Sequence, residues 1–386
     1  MRVLLHTGKG GVGKTSLALA SALGAAAHGH RVFVLSTDSA HSLGDALGRP
    51  VGPQPVEIAP GVLAQEVAAL AELDRAWSEI QEFFAQLLRG AEDELAFEEL
   101  LVFPGLEELV ALRAVRDVER RGDCDVCVVD CAPTGSTLRL LRLPDVLRIF
   151  MGSVFATKRR ASKLLKPVAD RVGLGRFVAP DDVFEAFERL YGDVEDVRQI
   201  LLDEDRTSAR LVVNPARVVV EETRRSFAYL SLYGVATDAV LVNRVLPAEA
   251  ARGYFATWAA RERRELDEIA ESFPVPRFQA PLLAREPIGI EALSALARAL
   301  YAEEDPARRF ADTRPIRLVK RDGRTLLEIE LRHTSVTDVD VSTRGDELMV
   351  RVGGAQRCIA LPGSVTGRAV ESVQIDAGVL AIGFAS

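Results

Sequence analysis

Apolar positions near the start of the chain follow two rhythms. RVLLH (2–6) and RVFVLSTD (31–38) are short, almost continuous β-rich runs, as expected of strands buried on both faces. Between them, TSLALASALGAAAHG (15–29) is rich in Ala and Leu and lacks proline, which predicts a helix. VCVVD (126–130) is another buried run. Strand, loop, helix, strand predicts an α/β domain with a mostly parallel sheet. Other stretches are helical. Trp77, Ile80, Phe83, Phe84, Leu87 and Leu88 recur at helical spacing opposite acids and Gln. Val146, Leu147, Ile149, Phe150, Met151, Val154 and Phe155 form a second apolar stretch, followed by TKRRASKLLK, and Phe184, Phe187, Leu190 and Tyr191 a third. These predict a helical insertion over about 60–120 and 145–208. The charged, proline-bounded YAEEDPARRFADTRP (301–315) reads as a linker. Beyond it the period becomes two: Leu327, Ile329 and Leu331 share one face, Glu328, Glu330 and Arg332 the other. DELMVRVG, QRCIALP, VESVQID and GVLAIGF follow at short spacing, predicting a β-sandwich. The expected division is 1–303, linker 304–315 and sandwich 316–386.

Composition narrows the function. A net charge of −8 argues against a nucleic-acid partner, since such proteins carry a basic face. Four cysteines in 386 residues make no disulfide scaffold and point to a reducing compartment. The apolar start is too short for a signal-peptide core, and no run has the eighteen or so residues a membrane span needs. The expectation is a soluble, cytoplasmic protein.

The loop GKGGVGKT (8–15) carries the chemistry. Between a strand and a helix it fits the phosphate-loop pattern G-x-x-x-x-G-K-[ST]. Backbone N–H groups must converge on phosphate oxygens without obstruction, which asks for glycine. The candidate ATP-binding set is Gly8, Lys9, Gly10, Gly11, Val12, Gly13, Lys14, Thr15 and Ser16. Lys14 would reach the β- and γ-phosphates and Thr15 would give its hydroxyl to Mg²⁺. Asp38, at the carboxyl end of the second strand, is placed to orient or deprotonate a water. Asp130 ends an apolar strand and would hold the Mg²⁺ shell, mainly through water, as would Asp38. Lys9, Lys14 and Asp38 are the candidate catalytic residues.

Two resemblances extend this reading. K-G-G-x-G-K-[ST] resembles the deviant phosphate loop of SIMIBI-type ATPases, in which the early lysine crosses a dimer interface to the other subunit's nucleotide. That implies a homodimer, with Lys9 in the crossing role. STDSAHSL, PGLEEL, DCAPTGSTLRLLRLP and APLLAREPIGIEAL together resemble the ArsA-type ATPases over residues 1 to about 303. That family includes an arsenite-pump ATPase and an ATPase delivering tail-anchored membrane proteins. The resemblance implies that Asp38 lies in switch I and 130–135 in switch II, that Asn243 contacts adenine, and that Pro281 walls the base pocket. This chain departs from the family at Ser39, where proline is usual, and at Ser136, often histidine; neither change removes a needed charge. The final strands resemble the α-crystallin domain of small heat-shock proteins, found fused to one subgroup of the family.

Cys124 and Cys127 form a C-x-x-C, with Cys131 following, but Cys127 lies within a strand and no second pair completes a four-ligand zinc site. The family's dimer-bridging cysteine pair would fall within 244–280, which hold no cysteine, and the arsenite pump's thiolate cluster is missing too. The aromatic stripes admit two readings, plain core packing or a hydrophobic chamber formed across a dimer. With three methionines the chamber would be stiffer than a Met-rich groove. The expected function is a dimeric Mg-ATPase serving an apolar client (a tail-anchored membrane protein, another hydrophobic polypeptide or a lipid), with a membrane-bound receptor as a further possible partner. The alternatives are a partition-type ATPase acting on a membrane or DNA surface, and an arsenite-pump subunit.

Overall fold

The computed structural model describes residues 1–37, 42–67, 106–132, 135, 181–321 and 324–385. Asp38, Ser39, Ser136 and the aromatic stripes within 77–88 and 146–155 lie outside the described residues.

The first domain is built on one eight-stranded sheet. Its strands are β1 (Arg2–Thr7), β2 (Val32–Ser36), β3 (Val56–Ala59), β4 (Val62–Glu66), β5 (Val126–Asp130), β6 (Thr207–Val213), β7 (Thr237–Val245) and β8 (Arg277–Pro281). They run in the order β3-β4-β2-β5-β1-β6-β7-β8, parallel except for the β3–β4 hairpin at one edge. The apolar runs are continuous because both faces are covered. Val3, Leu5, Phe33, Leu35, Cys127 and Val129 face one layer, and Leu4, Val32, Val34, Val126 and Val128 the other. Helices α1 (Lys14–Ala27) and α7 (Ile290–Tyr301) cover the second face. Helices α3 (Leu106–Arg121), α4 (Asp181–Leu202), α5 (Arg217–Tyr233) and α6 (Ala256–Ser272) contribute to the first. A short α2 (Ser42–Leu47) follows β2. The helical insertion expected from about 60 does not include Val62–Glu66, which pairs in register with β2 as a sheet strand. Tyr191 packs partly buried on the sheet's hydrophobic layer, the plain core role. Among the described residues no helix is long and apolar enough to cross a membrane.

The second domain is a sandwich. Strands β14 (Val370–Asp376), β15 (Val379–Phe384), β10 (Arg324–Glu330) and β9 (Ile316–Arg321) form one sheet in that order; β11 (Val339–Arg344), β12 (Glu347–Val352) and β13 (Ala355–Ala360) form the other. Leu327, Ile329 and Leu331 are buried between them, as their period requires. Glu328, expected in solvent, is 5% exposed. Arg317 and Arg321 of the neighbouring strand cover it, at 3.2 and 2.9 Å.

The segment read as a linker is a strap fastened to the first domain. Arg210, fully buried on β6, donates to the carbonyls of Pro306 (2.7 Å) and Arg308 (3.1 Å) and pairs with buried Asp238. Its guanidinium lies 4.7 Å from the centre of the Phe310 ring, which packs against Phe278 and Tyr301. Asp305 meets His30, and the Thr313 hydroxyl donates to the Thr237 carbonyl. The sandwich is also built onto α5. Ala228, Leu232 and Tyr233 belong to its core, Arg357 donates to the Leu232 carbonyl at 2.8 Å, and the Tyr233 hydroxyl donates to the Gln356 carbonyl. His333 donates to the carbonyl of Ser272, the last residue of α6.

Candidate nucleotide site

The loop between β1 and α1 forms the floor of a cavity of about 430 Å³ at the carboxyl ends of the strands. Two glycines are required by close approach. A Cβ on Gly8 would collide with the Val212 carbonyl of β6, and one on Gly13 with the side-chain amide of Asn243. Gly13 also lies in the left-handed region, at φ 93°, and caps α1 without a side chain. The positive end of that helix therefore faces the cavity unobstructed by a capping group. Gly11, Gly13, Lys14, Thr15 and Ser16 line it from the loop, and Asp45 and Ala46 from α2. Asn243, Arg244, Pro281, Leu282, Arg285 and Ile288 form the opposite wall, so both residues expected at the base pocket reach this cavity.

The two loop lysines part company. Lys14 is 5% exposed and donates back to the Lys9 carbonyl at 3.3 Å. Lys9 leaves the cradle, and its Nζ lies 3.0 Å from Glu222 Oε2 on α5. Next to the floor, Thr15 donates to Asp130 Oδ2 at 2.7 Å and lies 2.9 Å from Ser42 Oγ. Asp130 is fully buried. This set of hard oxygens at the start of a phosphate-facing helix suits Mg²⁺, which takes one or two protein oxygens and fills the rest of its shell with phosphate and water.

Asn243 has a task its position in the sequence does not announce. Its amide donates to the Val12 carbonyl at 2.8 Å, and its oxygen accepts from the Arg244 N–H at 2.9 Å. Arg244 itself sits at φ 60°, a strained backbone for a residue with a side chain. Behind the loop, His6 lies in register with Asp130 and contacts Ser21, which meets the Tyr301 hydroxyl. Burial, with the nearby Arg210 charge, pushes the His6 imidazole from its ordinary 6.5 down to about 3. Burial also raises the Cys124 thiol to about 11 and Cys131 to about 12, so these stay protonated side chains of the apolar layer. Ser42, Glu222 and Arg244 were not expected from the sequence. Only Arg244 carried a signal, its place beside Asn243.

The family model for anion-transporting ATPases of the ArsA type matches residues 1–302, and that for the HSP20-like domain found in ArsA matches 322–384. The chain belongs to the ArsA ATPase family. This ATPase is 36% identical, over 374 residues, to a Chlorobaculum tepidum protein named as an arsenical pump-driving ATPase, covering 95% of this chain and 92% of that one. A Streptomyces coelicolor protein without a functional name is 32% identical over 389 residues, covering 100% and 97% of the two chains. The ATPase GET3C of Arabidopsis thaliana is 28% identical over 311 residues, covering 74% of this chain and 78% of that protein. The first two alignments run through the sandwich, so those relatives share the two-domain plan.

Proposed function

We propose that this ATPase works as a homodimer whose nucleotide state opens and closes a chamber for an apolar client, either a membrane-protein segment, another hydrophobic polypeptide or a lipid. The observation that carries the proposal is the divergence of the two lysines. Lys14 stays in the cradle, whereas Lys9 points out of it to Glu222. Charge developing on a transferring phosphoryl group has to be met by cations. A loop lysine turned away from its own cradle is placed to meet the phosphates of a second copy.

Within each copy, residues 8–16 bind the triphosphate, with Asn243 and Pro281 at the base. Thr15 would hold Mg²⁺ through its hydroxyl, with Asp130 and Asp38 acting mainly through its water shell, and the bound metal would supply positive charge to the β- and γ-phosphate oxygens. Asp38 orients and deprotonates the attacking water. Leu282 and Ile288 are exposed around the mouth of the site, and Val218, Phe255 and Trp258 line the adjoining cavity, an apolar rim suited to cover by a partner. The HSP20-like module, and the resemblance of the motifs to a family that includes an ATPase delivering tail-anchored membrane proteins, support a protein-handling role.

The test is turnover against protein concentration for the wild type and Lys9→Ala, with native mass spectrometry in ATP to count subunits and detect any co-purified apolar ligand. Wild-type specific activity should rise as copies pair. Lys9→Ala should bind ATP yet lose about 10³-fold or more in turnover, the scale of a cation supplied in trans. Turnover independent of concentration and untouched by Lys9→Ala would overturn the dimer mechanism.

A further inference from the structure

Lys9 is not left free to search for a partner's phosphates. Its ammonium is held at 3.0 Å by the Glu222 carboxylate of the same chain. Glu222 sits on the first half of α5, whose opening turn lines the cavity next to the nucleotide site. The other end of that helix is fixed: Leu232 and Tyr233 lie in the sandwich core, Arg357 holds the Leu232 carbonyl, and Phe227 packs edge-on against Phe273. A carboxylate on so anchored a helix cannot follow Lys9 into another subunit's site without α5 and the sandwich moving with it.

We infer that Glu222 is a positioning residue that holds Lys9 on its own chain and competes with the partner's triphosphate for it. The inference rests on the role of Lys9 proposed above. Both side chains are about one-third exposed, at 36% and 34%, so the pair is weak and water-screened, as a contact broken on every pairing event must be. When Lys9 leaves, its charge is met by phosphate oxygens and Glu222 returns to solvent, so neither ion is left buried and unpaired. A fully buried pair would instead carry a large penalty for breaking.

The experiment measures steady-state ATP turnover against protein concentration for the full-length wild type, Glu222→Gln, Glu222→Lys, Lys9→Ala and the double variant Lys9→Ala/Glu222→Gln. Removing the carboxylate should lower the concentration for half-maximal specific activity by about 2- to 30-fold, the range of the two exposed ion pairs broken per dimer. Glu222→Lys, which repels Lys9, should lower it at least as far. In the Lys9→Ala background, where turnover is already lost, pairing is read instead as the dimer fraction in ATP by native mass spectrometry; Glu222→Gln should leave it unchanged there, whereas a merely structural role would persist. Thermal midpoints matching the wild type show that the variants fold. If Lys9→Ala turns over like wild type, the dimer mechanism fails. If Lys9→Ala is inactive but Glu222→Gln matches or falls below wild type, or acts equally without Lys9, the restraint is refuted on its own.

Discussion

The hydrogen bond from Asn243 to the Val12 carbonyl separates two roles for one residue. If Asn243 chiefly reads the base, its loss should harm ATP and spare nucleotides that do not present adenine. If it chiefly props the loop, every nucleotide should suffer alike. Val12 is 1% exposed, so Asn243→Ala strands its carbonyl away from water. An unsatisfied buried acceptor costs about 1–3 kcal/mol. The Arg244 N–H loses its acceptor too, beside a backbone already at φ 60°. If ligand binding must restore the loop against that loss, affinity falls about 5- to 150-fold, at 1.4 kcal/mol per decade. The assay is equilibrium titration of ATP, ADP and GTP with wild type and Asn243→Ala. The expected result is a similar loss for all three, leaving the ATP-to-GTP ratio within about twofold of wild type. Gly13→Ala, whose methyl would displace the same amide, should reproduce the pattern. A variant that loses ATP affinity while GTP binding is unchanged would refute the buttress and assign Asn243 to the base alone.

Two further outcomes follow from buried charge. Arg210→Met removes the donor to the Pro306 and Arg308 carbonyls and the partner of Asp238. It should cost about 3–5 kcal/mol in urea unfolding and speed trypsin cleavage after Arg308 or Arg309, whereas an unchanged midpoint and digest would mean that the strap is only a tether. His6 is held neutral, with its pKa depressed from 6.5 to about 3, so the unfolded chain binds the proton more readily. Its contribution to stability is complete above about 6.5 and is lost as pH falls toward 3, amounting to about 2 kcal/mol by pH 5. Unfolding at pH 7 and 5 should show that loss in the wild type and a smaller one in His6→Asn; equal pH slopes would exclude His6 as the source.

The sequence exposed whatever is written in local pattern and hid whatever depends on distant partners. β1, β2 and β5 were legible because strands buried on both faces must be apolar without interruption. The β3–β4 hairpin was not, because VEIA and VLAQE mix polar and apolar positions at a sheet edge. The glycine loop was legible from its spacing between a strand and a helix, but the neighbours that crowd Gly8 and Gly13, the Val212 carbonyl and the Asn243 amide, are not written in that spacing. Ser42 and Glu222 were invisible because their partners lie far along the chain, and a Ser or Glu on a helix carries no mark of what it will meet. The fastening of the strap was hidden for a different reason. Its charged, proline-bounded composition is that of a linker, but what fixes it is the use of its backbone carbonyls by Arg210, and carbonyls leave no trace in composition.

That fastening matters for how the two domains act together. A flexible tether would let the sandwich sample positions independent of the nucleotide site. Here the strap, α5 and α6 each make polar contacts that tie the domains, and α5 shares its apolar residues with the sandwich core. Interfaces that share a hydrophobic core do not slide as loosely docked ones do. A polar path also runs from beside the loop to the strap. His6 meets Ser21 at 2.8 Å, Ser21 meets Tyr301 at 2.7 Å, and Tyr301 accepts from Arg210, which holds the strap carbonyls. Any nucleotide-driven shift of α5 large enough to part Glu222 from Lys9 must therefore displace the sandwich or break its contacts at Leu232 and Tyr233. Removing the sandwich would strip α5 of its packing at Ala228, Leu232 and Tyr233 and should weaken ATP binding in titration against the full chain; unchanged affinity would mean that α5 keeps its place without it.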